Sequence, residues 1–447
     1  MSKSWPKIIR DPVHNLVLFQ DTPGDRLLLD LINTREFQRL RRVKQLGMSE
    51  LVFPGANHSR FAHSIGVMQT ARLFFDRLNI LMDKKLEQEH QTIVLVAALL
   101  HDLGHGPFSH AFEKITGESH EARTLEIIKD TSTEVNAKLK AYNAALPERL
   151  GRFFDEDWQA DGKDTFPSYL VGVVSSRLDA DRFDYLLRDS YATGTDYGEF
   201  DLQWLIQHLF PDETKGRFYL SHKALSTAEA YVFARHHMYQ SVYFHKTTRA
   251  AEVMLRLLFK RYKALLEQAP AGQRTTIVPD APRSIVGAFS GKIGLGDYLK
   301  LDDHTITEFV KACEFSGDLV LKVLGSGLLN RILFKAVDAT DANGAQVANF
   351  HAAALELIKS KGQEPDCVFS DDTPADTPYK AYDPDEEEPE TMIWVENLAG
   401  KPVELSSISE SVLVLRKKLT LVRYYFPVSV RDEMKKLAKD HLGKVTP

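Results

Sequence analysis

The first half of the chain repeats apolar residues at close to 3.6-residue spacing, the period of an amphipathic α-helix. Glycine follows two of these stretches, at Gly47 and Gly104, as a helix stop signal. The pattern predicts helices over residues 32–46, 61–81 and 91–103.

A longer apolar repeat runs through residues 224–268 and predicts either one long helix or two helices in series. Its first residues include Ser226-Thr227-Ala228-Glu229, which has the composition of a capping box. In that motif the serine accepts from the helix backbone and the glutamate reaches back to it. The motif predicts the start of the helix at Ser226.

The pattern changes near residue 269. Pro, Gly and Asp are frequent in residues 269–300, which predicts loop with short helix, and helical spacing returns in residues 304–360. The proline-rich acidic run 371–390 predicts an extended segment. Strand-forming stretches that predict a small sheet against the late helices follow at residues 391–395, 403–405 and 413–425.

These patterns predict a mainly α protein with a smaller α+β C-terminal region. The predicted division is a helical core over residues 1–268, a helical extension over 269–370, and an acidic linker with a small α+β region over 371–447. A hydrophobic content of 43% and a charged content of 26% in 447 residues are those of a globular chain.

Charge and cysteine content narrow the class of protein further. The net charge of −6 argues against a nucleic-acid partner. Cys313 and Cys367 are the two cysteines, which excludes a disulfide framework and fits a cytoplasmic protein. No apolar run approaches the roughly 20 residues of a membrane span, and the first residues lack the apolar segment of a signal peptide.

The stretch ALLHDLGHGPFSH, residues 98–110, places a His-Asp pair at the end of a predicted apolar helix. With His63 and Asp181 elsewhere in the chain, His101 and Asp102 form an ordered set of imidazoles and carboxylates, the ligands of a divalent metal ion. A His-Asp dipeptide alone is also common as a surface pair.

Several long motifs in fixed order resemble the HD-domain phosphohydrolase superfamily, in the dNTP triphosphohydrolase branch that includes the mammalian SAM-and-HD-domain enzymes. The resemblance runs from about residue 7 to about residue 260, and no SAM domain is expected. It implies an HD-domain helical core in which His63, His101, Asp102 and Asp181 hold a divalent ion, with Mn, Fe, Zn and Mg not distinguished. The motifs are RDPVH (10–14), EFQRLR (36–41), KQLG (44–47), VFPGA (52–56), the segment around His63, residues 101–110 and residues 179–189.

The same resemblance assigns catalytic roles to His105 and His120, at the scissile phosphate, and to Asp102, which orients the water. His120 is the expected general acid, since a histidine changes its charge near neutral pH. The chain departs from the family pattern at Glu113, where an aspartate is expected. The alternative is that His105 and its neighbour His110 only pack a glycine-rich turn.

The resemblance also implies a binding site for a deoxynucleoside triphosphate. The arginines would match the phosphate charge, Tyr185, Asp189 and Gln45 would contact the sugar, and Tyr243 would crowd the 2′-carbon. The two tyrosines are otherwise ordinary core aromatics. The substrate-binding residues so implied are Gln45, Arg60, His110, Arg182, Tyr185, Asp189, Arg235 and Tyr243.

A nucleotide effector site and a homo-oligomer, dimer or tetramer, are further implications of the resemblance. Asn33 stands where the family has an aspartate that contacts guanine, so a changed base preference is expected. The matching effector residues are Lys7, Ile8, Asn33, Gln38 and Arg41.

Three functions remain open from the sequence. The first is metal-dependent hydrolysis of dNTPs to deoxynucleoside and triphosphate. The second is an HD phosphohydrolase acting on a nucleoside monophosphate or a signalling nucleotide, which would share the metal but not the sugar-facing residues. The third is a nucleotide sensor or nucleic-acid binder without activity, which a general acid and the net negative charge both disfavour.

Overall fold

The computed structural model describes residues 5–82, 86–108, 112–113, 116–117, 119–154, 166–270, 273, 276–290, 293–376, 392–415 and 419–443. It begins with an antiparallel hairpin of β1 (Lys7–Asp11) and β2 (Asn15–Phe19), in which Ile9 pairs with Val17.

The helix predicted over residues 32–46 is wrong in its extent. Helix α1 (Pro23–Ile32) ends at the start of that range, and α2 (Arg35–Arg39) leads into a 3₁₀ turn. The hydroxyl of Thr34 accepts from the backbone N–H of Phe37 and starts a new helix, so the local cap overrides the continuous period. The apolar positions themselves are buried as their spacing predicts.

Two long helices form the centre of the first half. Helix α3 (Arg60–Leu81) confirms the helix predicted over 61–81, whereas α4 (Gln88–Leu100) ends before His101 rather than at Leu103. A turn follows, and at Gly104 a Cβ would lie 2.1 Å from the His120 carbonyl oxygen. Glycine is therefore required where this turn packs directly on the next helix.

The helices that surround this pair come next in the chain. Helix α8 (Ala180–Thr193) packs along α3, with Asp179 as its N-cap and Gly194 in the left-handed conformation at its end. The elements are α5 (His120–Lys129), α6 (Glu134–Tyr142), α7 (Leu146–Phe154), α8 (Ala180–Thr193), α9 (Leu202–Gln207), β3 (Leu209–Asp212) and β4 (Arg217–Leu220).

Residues 224–268 form two helices in series, α10 (Leu225–Met238) and α11 (Lys246–Gln268), joined through a π-helical turn. The predicted capping box is wrong. A 3₁₀ turn runs directly into α10, so Ser226 lies inside the helix, and Glu229 instead accepts a hydrogen bond from the Ser409 hydroxyl.

The C-terminal part holds small helices and short strands. Two of its predictions are partly wrong. The Ser409 hydroxyl caps a short helix at the start of the predicted strand stretch 413–425, and a strand, Lys335–Asp338, interrupts the helical spacing of residues 304–360. The elements are α12 (Arg283–Ser290), α13 (Leu295–Tyr298), α14 (Asp303–Cys313), α15 (Leu319–Leu329), β5 (Lys335–Asp338), α16 (Gly344–Ser360), α17 (Pro365–Val368), β6 (Ser370–Asp372), β7 (Ala375–Asp376), β8 (Trp394–Glu396), β9 (Pro402–Glu404), α18 (Glu410–Val414), β10 (Leu419–Thr420), β11 (Arg423–Phe426) and α19 (Arg431–Leu442).

The strands form three sheets besides the first hairpin. β11 pairs antiparallel with both β5 and β6, and β10 pairs with β7. β8 pairs with β4 in parallel, which joins β8 and β9 to the β3–β4 hairpin of the first half. Most of the acidic run 371–390 lies outside the described residues.

The protein is mainly α, with its small sheets concentrated in the C-terminal region. One hydrophobic core takes in α1 to α10 together with residues of β8 and α18, and a second is built on α11 and the later helices. The boundaries at residues 268 and 370 stay predictions. None of the described helices combines the length and apolarity that a membrane span requires.

Candidate active site

Four side chains converge where the ends of α3, α4 and α8 meet. The ligand atoms of His63, His101 and Asp102 lie within 4.8 Å of one another. Asp181 Oδ1 lies 3.0 Å from His63 Nε2 and 3.5 Å from His101 Nε2. The fold therefore brings together the four residues that the resemblance implied as metal ligands, although they are 118 positions apart at the extremes.

Each histidine of this cluster turns one ring nitrogen toward the others and anchors the second. His63 Nδ1 donates to Asp184 at 2.8 Å, and His101 Nδ1 donates to the Ala98 carbonyl at 2.9 Å. Both Nε2 atoms are buried and face the Asp181 carboxylate. Buried imidazoles anchored this way, beside carboxylates, are the donor set of a divalent metal ion.

The carboxylates of the cluster are held in their charged form. Burial would raise the pKa of Asp102, but Arg60, His101 and His105 outweigh it and hold that pKa well below its ordinary value. Burial acts likewise on Asp181, whose pKa is lowered chiefly by hydrogen bonding to His101. Both carboxylates are therefore available to a cation at neutral pH.

Binding of a divalent ion should release protons and strengthen as pH rises. Burial would lower the pKa of His63, but its hydrogen bonds to Asp181 and Asp184 outweigh burial and raise that pKa to about 10. An incoming ion must displace this proton. Loss of one proton predicts a Kd for Mn²⁺ that falls about tenfold per pH unit between roughly pH 6.5 and 8.5.

Titration calorimetry in two buffers of different ionisation enthalpy counts the released protons directly. A Kd that does not change with pH would contradict the prediction.

A second group of titratable residues lies beside the first. His105 Nε2 lies 3.1 Å from Asp102 Oδ1, and its ring stacks on His120 with centroids 3.8 Å apart. His120 Nδ1 donates to Glu113 Oε1 at 2.8 Å. Burial and the Arg60 charge lower the pKa of His105 to about 3, so His105 is neutral while the more exposed His120 is paired with a carboxylate.

Among the predicted phosphate-binding arginines, Arg60 contacts the cluster directly by donating to Asp102. Arg182 donates to its own helix cap, Asp179, and to the Ser176 carbonyl. Arg235 lies over the Tyr239 ring at 4.7 Å. Carboxylates and a ring face thus orient these three cations.

Helix α8 carries Asp181, Tyr185 and Asp189 at four-residue intervals, so one face of the helix runs from the metal cluster toward α10. At its far end, Asp189 accepts from the Tyr243 hydroxyl at 2.7 Å and from His58 Nε2 at 2.7 Å. The Tyr185 and Tyr243 rings meet edge to face at 6.3 Å.

Tyr243 ends the π-helical turn Tyr239–Tyr243, a local widening that is frequent at functional sites. Gln45 Oε1 is buried without a hydrogen-bond partner among the described residues. A buried acceptor of this kind is able to accept a hydrogen bond from a ligand. His110 lies outside the described residues.

Two participants lie inside the motifs named above but had no predicted role, and a third, His58, lies in none of those motifs. His14 and Asp184 are the first two: Asp184 contacts His63 directly and His14 contacts Asp184. His58 anchors Asp189. Each lies within a few residues of a recognised motif, and that proximity is the one signal the sequence offers for them.

The predicted effector residues lie at the surface of the N-terminal elements. Ile8 is exposed on β1 beside Lys7, and Asn33 caps the end of α1. Arg41 Nε donates to Gln38 Oε1 at 2.8 Å. Their joint role stays a prediction.

The fold and this cluster define a class of protein, and sequence comparison agrees with it. The HD domain family matches residues 60–153, and the HD-associated region matches residues 200–273. The chain belongs to the HD-domain phosphohydrolase superfamily.

Individual proteins in this superfamily are similar to most of the chain. The chain is 37% identical to the uncharacterized protein YwfO of Bacillus subtilis over 95% of this chain and 93% of that protein. It is 31% identical to the deoxynucleoside triphosphate triphosphohydrolase SAMHD1 of Danio rerio over 82% of this chain, and it spans 61% of that protein's length. The crystal structure of a phosphohydrolase from Bacteroides thetaiotaomicron, 28% identical, superposes with a TM-score of 0.77 and covers 94% of this chain and all of that one.

Proposed function

We propose that this protein hydrolyses deoxynucleoside triphosphates to deoxynucleoside and inorganic triphosphate with a bound divalent ion. The observation that carries the proposal is the continuous face of α8, on which Asp181 of the metal cluster is followed by Tyr185 and Asp189. The Tyr243 hydroxyl closes this face by bonding Asp189. A sugar held there would place its 5′-oxygen toward the ion.

The residues around the cluster supply the remaining requirements of phosphoester hydrolysis. A divalent ion held by the four ligands would polarise the phosphate and lower the pKa of a bound water. His120 is placed to give a proton to the leaving 5′-oxygen, and Glu113 orients its ring. Neutral His105 supports His120 by stacking and adds no charge repulsion.

The phosphate chain requires positive charge beyond the metal ion. Arg60 is the first residue of α3, and Arg182 follows Asp181 in the first turn of α8. Each arginine is held by a carboxylate, Asp102 or Asp179, and so is oriented before substrate arrives. Guanidinium groups fixed in this way grip phosphate oxygens in pairs.

The alternative is an HD phosphohydrolase that acts on another nucleotide, a monophosphate or a signalling nucleotide. Such an enzyme needs the ion and the general acid but has no use for a sugar-facing group of two tyrosines and a buried aspartate. A nucleotide effector and a homo-oligomer belong to the same proposal, on the strength of the similarity to SAMHD1.

Incubation with each dNTP, each rNTP and each dNMP, in Mn²⁺ or Mg²⁺, followed by ion-exchange chromatography, tests the proposal. Deoxynucleoside with inorganic triphosphate is the expected product pair, and EDTA should abolish it. Release of phosphate groups one at a time, or hydrolysis of dNMP, would favour the alternative. Each reaction should be repeated with a second nucleotide added, because an effector requirement would otherwise hide the activity.

Sugar selection is expected to depend on the ring of Tyr243. Replacement by Ala opens space at the 2′-carbon, so the ratio of kcat/KM for dNTP over rNTP should fall by about tenfold or more. Tyr243→Phe keeps the ring and removes only the hydroxyl, and it should retain most of the discrimination. Equal selectivity in wild type and Tyr243→Ala would contradict this role.

A further inference from the structure

The N-terminal hairpin reaches the candidate metal centre through a buried contact. His14, in the turn between β1 and β2, donates from Nε2 to Asp184 Oδ1 at 2.7 Å, across 170 positions of sequence. The side chains are 6% and 0% exposed, so water does not compete for this bond.

The turn that carries His14 has a defined shape. Asp11 Oδ1 accepts from the backbone N–H groups of Val13 and His14, both at 2.9 Å. Asn15 completes the turn with a φ of 62°, in the left-handed region that asparagine tolerates. The direction of the His14 side chain is thereby set by the hairpin itself.

Asp184 is the centre of a buried network. Its Oδ2 accepts from His63 Nδ1 at 2.8 Å and from Arg188 Nε at 2.8 Å, while Arg188 also reaches Asp11 at 2.9 Å. A Cβ at Gly66 would lie 1.9 Å from Asp184 Oδ1. The close approach of α3 and α8 thus leaves Asp184 no second position.

This network determines which nitrogen His63 presents to the cluster. A carboxylate only accepts, so His63 Nδ1 must carry the proton and Nε2 must turn toward Asp181. The orientation and basicity of a metal-ligating imidazole depend on the partner of its other nitrogen. Asp184 is that partner, and His14 and Arg188 hold Asp184.

We propose that His14 and Asp184 are positioning residues for His63, so that the β1–β2 hairpin forms part of the metal centre. The inference rests on the proposed metal site but not on the substrate. It also connects the hairpin to His63 through two hydrogen bonds, from His14 to Asp184 and from His63 to Asp184. The same hairpin bears the predicted effector residues Lys7 and Ile8.

The test measures Mn²⁺ affinity, by calorimetry and by the electron paramagnetic resonance signal of free Mn²⁺, without nucleotide. Asp184→Asn and His14→Ala should each raise the Kd by about 10- to 100-fold. Because both act through one contact, the double variant should lose less than the product of the two single effects. His14→Gln, which keeps a donor, should recover part of the loss.

Leu18→Ala is the matched control, since Leu18 lies 38% exposed on the same hairpin and outside the network. It should bind Mn²⁺ as the wild type does. Thermal unfolding midpoints of all variants test whether each is folded at the temperature of the titration.

Each result of the Mn²⁺ binding measurements either supports the inference or overturns it. A folded His14→Ala that binds Mn²⁺ like the wild type overturns it, and so does a His14→Gln that does not fold, because His14 would then serve the fold alone. A wild type that binds no Mn²⁺ overturns both this inference and the proposed function. A wild type that binds Mn²⁺, loses it in the variants and cleaves no dNTP refutes only the proposed substrate.

Discussion

Replacement of Asp102 by Asn is expected to abolish dNTP hydrolysis and to remove the divalent ion from the protein. Asp102 lies within ligand distance of His63 and His101, and it also holds Arg60 and accepts from His105. An amide cannot supply the negative charge that balances these groups. Loss of an outer-shell partner alone costs 10- to 100-fold in metal affinity, so loss of a direct ligand should cost more than about 100-fold.

Metal content by plasma mass spectrometry and kcat for dNTP hydrolysis are the two measurements. Asp372→Asn is the matched control, because Asp372 is also a buried carboxylate and pairs with Arg249 at 2.8 Å. Both variants should lose stability, since each removes the charge of a buried carboxylate that pairs with an arginine. Only Asp102→Asn should lose metal and activity. An Asp102→Asn protein with a full complement of metal would exclude Asp102 as a ligand.

Removal of the His120 imidazole should separate catalysis from metal binding. The ring is hydrogen-bonded to Glu113 and stacked on His105, which in turn contacts Asp102 of the cluster. If His120 gives the proton to the leaving oxygen, His120→Ala should lower kcat by about 100- to 10,000-fold. The Kd for Mn²⁺ should remain close to that of the wild type.

Glu113→Gln gives the graded comparison for this prediction. The glutamine retains a group that can accept from His120 Nδ1 but lacks the charge, so kcat should fall by less than in His120→Ala. A His120→Ala enzyme with wild-type kcat would assign the proton transfer elsewhere.

The helical class and the candidate metal ligands could be predicted from the sequence because both are carried by local patterns. The period of apolar residues predicted α3 within one residue at its start, and the order His63, His101–Asp102, Asp181 pointed to the cluster that the fold brings together. Helix ends were less predictable. Thr34 divides a continuous apolar period through a single hydroxyl contact, and α10 begins without the capping box its sequence offers.

Partners distant in sequence were decided by the tertiary structure. Nothing near His14 indicates that it meets Asp184, and nothing near Glu229 indicates that Ser409 bonds it. β8 joins β4 in parallel, although 173 residues lie between Leu220, the end of β4, and the start of β8. Such contacts depend on how the helices pack, and a short stretch of sequence does not determine that packing.

The sequence by itself determined which side chains are chemically able to bind a divalent ion, because residue type and motif order are properties of the chain alone. The tertiary structure decided how those side chains are aimed. His63 presents Nε2 because Asp184 occupies Nδ1, and Asp184 is held by His14 and Arg188 where Gly66 lets α8 approach α3. Orientation depends on packing between elements distant in sequence, so it becomes defined only in the folded molecule.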